Sequence, residues 1–187
     1  ADPEYHYAGI LDSFKRAAAK MPRVDAIGVS SAGIYIDNEV RVASLFIKVP
    51  RDEFDAKVRD MYIRAAKEIG DVPLTVANDG DVTALAGALS LQHGRVLGIA
   101  MGTSEAVGYV NKDGNLNGWL SELAFVPVDY NKKAMVDEWS GDYGCGVKYF
   151  SHDGVIKLAG FAGIELDENA SPAEKLKVVQ GLMKNGD

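Results

Sequence analysis

A single cysteine, Cys145, in 187 residues cannot close an internal disulfide. The three histidines, at positions 6, 93 and 152, are too scattered to offer metal-ligand spacing. No apolar run approaches the roughly 20 residues that a membrane helix needs. The opening Ala-Asp-Pro-Glu-Tyr-His has no basic stretch followed by an apolar one, so no secretory signal is read there. Lysine and arginine are dispersed, and their 20 positive charges face 27 acidic residues, for a net charge of −7. That balance has no general attraction for a nucleic-acid backbone, and nucleic-acid binding by this segment is not expected. The expected setting is reducing and cytoplasmic. What is present, 47% hydrophobic and 25% charged residues, suffices for a soluble core as one domain or two small ones.

Apolar spacing supplies the elements. Tyr7, Ile10, Leu11, Phe14, Ala17, Ala18 and Met21 share one helical face, and Pro22 ends the helix. Asp25 to Ser31 reads as a buried strand. Gly33 and the pair Asp37-Asn38 predict a loop or short hairpin before a strand from Val40 to Phe46. A second helix after Pro50 carries Phe54, Val58, Met61, Tyr62, Ala65 and Ile69 inward, with Gly70 at a left-handed end. The strand Leu74 to Ala77 runs into Asn78-Asp79-Gly80 and then a helix with Val82, Leu85, Ala86 and Leu89 inward. Arg95 to Met101 is a further buried strand, Gly102-Thr103-Ser104 turns it into Ala106 to Val110, and Asn111 to Gly114 makes a hairpin turn. Val147 to Leu158 and Ser171 to Met183 read as helices, the latter opening on a Ser171-Pro172-Ala173-Glu174 capping box. Early strand-helix alternation followed by hairpins predicts an α/β protein, a mixed sheet flanked by helices, with a boundary between two lobes near Asn78-Asp79.

Three places have residues suited to chemistry. Asp79 stands at the mouth of a helix, beyond the carboxyl end of a strand. It reads either as a helix cap, a role aspartate favours, or as a general base that takes a proton from a substrate hydroxyl while Asn78 fixes that substrate. The Gly98 to Gly108 segment folds a buried strand through a Gly-Thr-Ser turn, which offers amides and hydroxyls to phosphate oxygens or is an ordinary hairpin. Glu105 in that turn would repel phosphate unless it points away. Glu122, in Gly118-Trp-Leu-Ser-Glu-Leu123, is a carboxylate among apolar neighbours or a surface glutamate in a loop.

The order of these segments carries more than any one of them. Ile27-Gly-Val-Ser-Ser-Ala-Gly33, Val76-Ala-Asn-Asp-Gly-Asp-Val-Thr-Ala-Leu85, Gly98 to Gly108, Asp113-Gly114 and Ser121-Glu-Leu123 together resemble the central part of a ROK-family sugar kinase, over Ala26 to Ser151. The resemblance implies the ribonuclease-H-like, actin-like ATPase (ASKHA) fold. It implies Asp79 as catalytic base and Asn78 and Glu122 on sugar hydroxyls, with Gly33 and Ser31 beside the sugar. Gly102, Thr103 and Ser104 would lie at the ATP phosphate. ATP with Mg2+ and a sugar substrate follow from it, as does a homodimer, since family members are commonly dimers or tetramers. Residues 1–78 would be the remainder of an N-terminal sugar-contacting lobe and residues 79–187 an incomplete C-terminal nucleotide-binding lobe.

Several positions depart from the family. Phe125 stands where its histidine follows Glu-Leu-Gly, and Ala124 replaces the glycine. The cysteine-rich zinc loop is reduced to Gly144-Cys145-Gly146, and a single thiolate cannot build a four-ligand structural site, so no zinc is expected. Val147 replaces a carboxylate, and Ser104, Glu105, Ala106 and Val107 occupy a hairpin that is nearly all glycine in the family. The Asp-Gly-Gly-Thr phosphate hairpin and the later adenosine segment of these kinases are not found in the 187 residues. The expectation is therefore a fragment of a longer protein, with little kinase activity by itself. Two alternatives stand beside the kinase: a non-catalytic sugar-sensing domain of a ROK-type transcriptional regulator, and another ASKHA member with a different phosphate acceptor. Trp119, Phe125, Tyr130 and Trp139 read as core side chains or as a partner-facing patch.

Overall fold

A computed structural model describes residues 2–138 and 140–186; Trp139 lies outside the described residues. The chain divides into two compact units, Ala1–Val82 and Thr83–Asp187.

The first unit opens with α1, Pro3–Ala18. Asp2 caps it by accepting the Glu4 amide at 3.0 Å, Pro3 occupies the first turn, and Lys15 and Arg16 sit in the last turn, where the helix dipole favours cations. Tyr7, Ile10 and Phe14 pack on the core, whereas Ala17 and Met21 of the expected stripe are exposed, because the helix ends before Met21 can join its face. Strand β1, Ile27–Ser31, leads through a turn to β2, Ile34–Ile36, and β3, Glu39–Val42. Asp37 and Asn38 both have positive φ, 54° and 65°, the conformation that a two-residue hairpin turn requires.

The chain does not stay extended to Phe46. It closes into a 3-10 turn, Ser44–Phe46, which drops the Phe46 ring into the core. The helix expected after Pro50 comes in pieces: α2, Arg51–Glu53, a π-helical turn, Phe54–Val58, and α3, Met61–Lys67. The wider turn, closed by the Arg59 amide on Phe54 O at 3.0 Å, keeps both Phe54 and Val58 inside. The end of α3 needs no left-handed Gly70, because the Ile69 and Gly70 amides both donate back to Ala66 O.

Strand β4, Leu74–Asn78, pairs in parallel with β1, in a register that runs from Ile27 beside Leu74 to Ser31 beside Asn78. Asn38 serves the other edge of β4: its Nδ2 donates to Leu74 O at 3.1 Å, and its Oδ1 accepts the Val76 amide at 2.8 Å. The turn residue thus takes the place of a neighbouring strand. Asn38→Gly keeps the positive φ and removes both bonds; a loss of about 1–2 kcal/mol is expected in urea unfolding. An unchanged midpoint would contradict that role.

Helix α4, Asp79–Leu91, follows β4 directly. In the second unit β5, Val96–Met101, and β6, Glu105–Val110, form an antiparallel hairpin. The expected inward stripe of α4 is corrected: Ala84 and Ala88 are buried, while Ala86 is exposed and Leu89 is 71% exposed. Small residues face inward because β5 passes very near them. A Cβ on Gly98 would stand 2.5 Å from the Ala84 Cα and N atoms, so neither side has room for a larger group.

Helix α5, His152–Phe161, begins later than Val147 because buried Ser151, in extended conformation, caps it by accepting the Gly154 amide at 3.1 Å. Gly146–Lys148 before it is a 3-10 turn. Helix α6, Pro172–Lys184, has the capping box read from Ser171 and Glu174.

The mixed sheet also takes another form. Parallel and antiparallel pairing are both present, but in separate two-stranded sheets among the described residues: β1 with β4, β2 with β3, and β5 with β6. The latter two pairs are hairpins closed locally on themselves. Trp119 and Tyr130 are not core side chains: both stand in irregular segments and are 74% and 85% exposed. No helix is long and apolar enough to cross a membrane among the described residues.

Candidate functional site

In the first unit the parallel register sets the carboxyl ends of β1 and β4 side by side. Backbone groups at such ends have no further strand partner, which is why open α/β sheets expose their polar residues there. Ser31, Ala32 and Gly33 leave β1 at that point, and Asn78 and Asp79 leave β4. Asn78 connects the two: its Nδ2 donates to Gly33 O at 2.8 Å. Its Oδ1 accepts the Gly80 amide at 2.8 Å, against 3.2 Å for Asp79 Oδ1 on the same amide. The shorter capping bond is therefore made by Asn78. One N–H and one lone pair of its amide remain after these two bonds.

Gly33 is required by both conformation and space. Its φ is 133°, and a Cβ there would lie 2.5 Å from Val42 O. Ser31 Oγ lies 2.9 Å from Tyr35 Oη, which donates to it, and 3.0 Å from Tyr62 Oη. Burial, reinforced by the nearby charge of Asp79, holds the Tyr35 phenol well above its ordinary value, so it remains a donor. Asp81, half-buried in the first turn of α4, has its carboxyl raised by burial.

Sequence reasoning passed over Asp81 and Tyr35, and counted Tyr62 only as core. Asp81 was legible in the quoted Asn-Asp-Gly-Asp run, and Tyr35 stands two residues beyond Gly33. A cavity of about 500 Å³ lies beside α1, lined by His6, Phe14, Val29, Ser31 and Tyr62 among others. Asn78 and Asp79 are not part of its lining, so the site is defined by the strand ends rather than by that cavity.

The second unit carries the other residues singled out. The Gly102-Thr103-Ser104 turn joins β5 to β6, closed by the Gly102 amide on Ser104 O at 2.9 Å. It is tied to the start of α5 by the His152 amide on Gly102 O at 2.8 Å. Thr103 and Ser104 are exposed. Nothing crowds Gly102, where a Cβ would meet only Ser104 O at 3.8 Å. Glu122 is exposed at the head of a 3-10 turn, Leu123–Phe125.

Glu105 does point away from the turn's exposed side. It is 6% exposed, and its Oε2 lies 2.5 Å from where a Cβ on Gly146 would be. That oxygen has no hydrogen-bond partner among the described residues, and burial raises the carboxyl. A raised value in the folded state means that the native protein holds this proton more tightly than the unfolded chain does. Stability is then complete below the ordinary glutamate value of 4.5 and is lost as pH rises through the higher folded value. Glu105→Gln is expected to stabilise the protein at pH about 8 by roughly 1 kcal/mol, with the two unfolding curves converging at pH about 4.5. A variant that unfolds earlier than the parent at pH 8 would contradict this.

Cys145 is buried, and burial raises its thiol, so it is an unreactive core group. Among the described residues no cluster of three or more His, Cys, Asp or Glu side chains is arranged to hold a metal.

No protein-family model matches the chain, and no curated protein matches it. Solved structures do. A ROK-family transcriptional regulator, described as a homologue of the E. coli MLC protein, is similar at 18% identity and a TM-score of 0.58, over 90% of this chain and 43% of that one. A ROK hexokinase from Thermus thermophilus is similar at 19% identity and a TM-score of 0.59, over 86% of this chain and 52% of that one. A ROK glucokinase from Streptomyces griseus, in complex with glucose and AMPPNP, is similar at 22% identity and a TM-score of 0.57, over 81% and 48%. The chain therefore shares a mixed α/β fold with ROK-family proteins, kinases and a regulator among them, and spans about half their length.

Proposed function

We propose that the chain is part of an ATP-dependent sugar kinase of ROK type, acting on a hexose or amino-hexose, with Asp79 as the base. The observation that carries the reading is the parallel pairing of β1 with β4, which brings the Ser31–Gly33 turn beside Asn78-Asp79, with Asn78 Nδ2 on Gly33 O. On this reading the fold is of the ribonuclease-H-like, actin-like ATPase type. Residues 1–78 form the sugar-contacting lobe and residues 79–187 the nucleotide-binding lobe, each incomplete.

Asn78, Ser31 and Gly33 hold the sugar, and Asp79 accepts the proton of the attacking hydroxyl. Most of the rate then comes from positioning and charge stabilisation. The open Gly102 turn with its exposed Thr103 and Ser104 hydroxyls fits phosphate oxygens, and these three residues would hold ATP, which supplies the phosphoryl group when bound. Mg2+ enters with the nucleotide in this proposal, and no zinc is invoked because a single cysteine cannot build a four-ligand structural site. The glucose and AMPPNP of the glucokinase neighbour support a sugar and a nucleotide as ligands. The cytoplasm is the setting that such a reaction implies, and a homodimer is the proposed association.

A second reading is favoured by Phe125 and Val147, which stand where the kinases have polar groups: a sugar-sensing domain of a ROK-type regulator, without chemistry. Hexose-dependent release of ADP by the full-length protein, measured with ATP, Mg2+ and a panel of hexoses, separates the two. The kinase reading expects release with at least one sugar. Sugar binding without release would transfer the protein to the sensor class.

A further inference from the structure

Three consecutive residues at the carboxyl end of β1 are each held by a side chain from another element. Gly33 O accepts from Asn78, on β4. Ala32 O accepts from Tyr35 Oη at 3.0 Å, on β2. Ser31 Oγ shares that one phenol proton at 2.9 Å and lies 3.0 Å from Tyr62 Oη, on α3. The two tyrosine rings meet edge to face, 5.8 Å between centroids at 79°, so each ring fixes where the other's hydroxyl can point. Packing does not require these hydroxyls, since phenylalanine would fill the same ring volume. Their bonds go to the one turn that stands beside Asp79.

We propose that Tyr35 and Tyr62 are positioning residues for the substrate site: together they orient the Ser31 hydroxyl and the Ala32 carbonyl so that Ser31 presents a fixed donor to a sugar oxygen. The proposal rests on the reading of this turn as the sugar site. Ser31 Oγ has two lone pairs and one proton. With the single Tyr35 proton shared between Ser31 Oγ and Ala32 O, and Tyr62 taken as the donor in a contact that either oxygen could donate, the serine proton is left for a ligand acceptor. Tyr35 stays protonated through the neutral and mildly alkaline range, because burial disfavours its phenolate, so the arrangement does not collapse by ionisation. Preorganisation of this kind saves the ligand the cost of ordering the turn.

The test uses the full chain, with D-glucose and N-acetyl-D-glucosamine as probes in titration calorimetry, on Tyr35→Phe, Tyr62→Phe, Ser31→Ala and the double variant Tyr35→Phe/Ser31→Ala. Each single change is expected to weaken the bound sugar about three- to tenfold. The double variant should bind no more weakly than Ser31→Ala alone, because Tyr35 acts through Ser31. Thermal melting of the two phenylalanine variants should stay close to the parent. If the parent binds a sugar and both phenylalanine variants bind it equally well, the proposal is overturned while the sugar site stands. It is likewise overturned if the losses simply add. If the parent binds neither sugar, the sugar-site reading fails, and the proposal fails with it.

Discussion

Asp79→Asn in the full-length protein is expected to lower sugar phosphorylation by about 10²- to 10⁴-fold while leaving sugar affinity within about twofold. The substitution is informative because two roles compete at this position. As a cap, Asp79 accepts the Gly80 amide at 3.2 Å, and asparagine is as good a cap as aspartate, with the same oxygen in the same place. Asn78 moreover makes the shorter bond to that amide, so α4 keeps its start in the variant. What asparagine cannot do is accept a proton. A protein that folds, binds sugar and fails to turn over is the expected outcome in a coupled assay of ADP release with a thermal melt alongside. Turnover equal to the parent's would leave Asp79 as a cap alone.

Gly98→Ala carries the other large effect, on stability. The added Cβ would stand 2.5 Å from both Ala84 N and Ala84 Cα and 2.9 Å from Ala84 Cβ. Two of those atoms are helix backbone and cannot rotate aside, so β5 or α4 must shift. Overpacking of this kind costs roughly 2–3 kcal/mol, a fall in Tm of about 5–10 °C for a chain of this size. Ala84→Gly relieves only the 2.9 Å contact, so the pair Gly98→Ala/Ala84→Gly is not expected to recover the parent's Tm. Calorimetric melts of the three variants check this, and a neutral Gly98→Ala would contradict the close approach of strand and helix.

That contact also marks where sequence reasoning stops. Local signals were legible: the Asp37-Asn38 turn, the Ser171-Pro172-Ala173-Glu174 cap and the strand-to-helix junction at Asn78-Asp79 all stand where their chemistry put them. The inward face of α4 was legible only in part: Leu85 packs on the core as its periodicity expects, but the same spacing favours the exposed Ala86 and Leu89, whereas the neighbour at Gly98 admits only the small Ala84. The alternation of Val40-Arg-Val42 reads as strand, but nothing in Ala43-Ser-Leu-Phe46 distinguishes a continuing strand from the tight turn that buries the Phe46 ring.

At the site, residue types at the two strand ends were visible in the sequence, but their connections were not. Asn78 Nδ2 reaches 45 residues back to Gly33 O, and Tyr62 reaches 31 residues back to Ser31. The first pairing depends on the parallel register of β1 and β4 and the second on where α3 places Tyr62, neither of which a local pattern encodes. Glu105 was a question of direction that only packing answers: the empty volume at Gly146 takes its carboxyl inward.

The central claim is that the turn at Ser31–Gly33 with Asn78-Asp79 is a sugar site coupled to a nucleotide. Titration calorimetry of D-glucose and N-acetyl-D-glucosamine into the full-length protein, with and without AMPPNP and Mg2+, tests it most directly. The account predicts that one of the two sugars binds, that the nucleotide analogue strengthens this binding, and that Asn78→Ala weakens it. Absence of heat with both sugars, in the presence and absence of nucleotide, would contradict it.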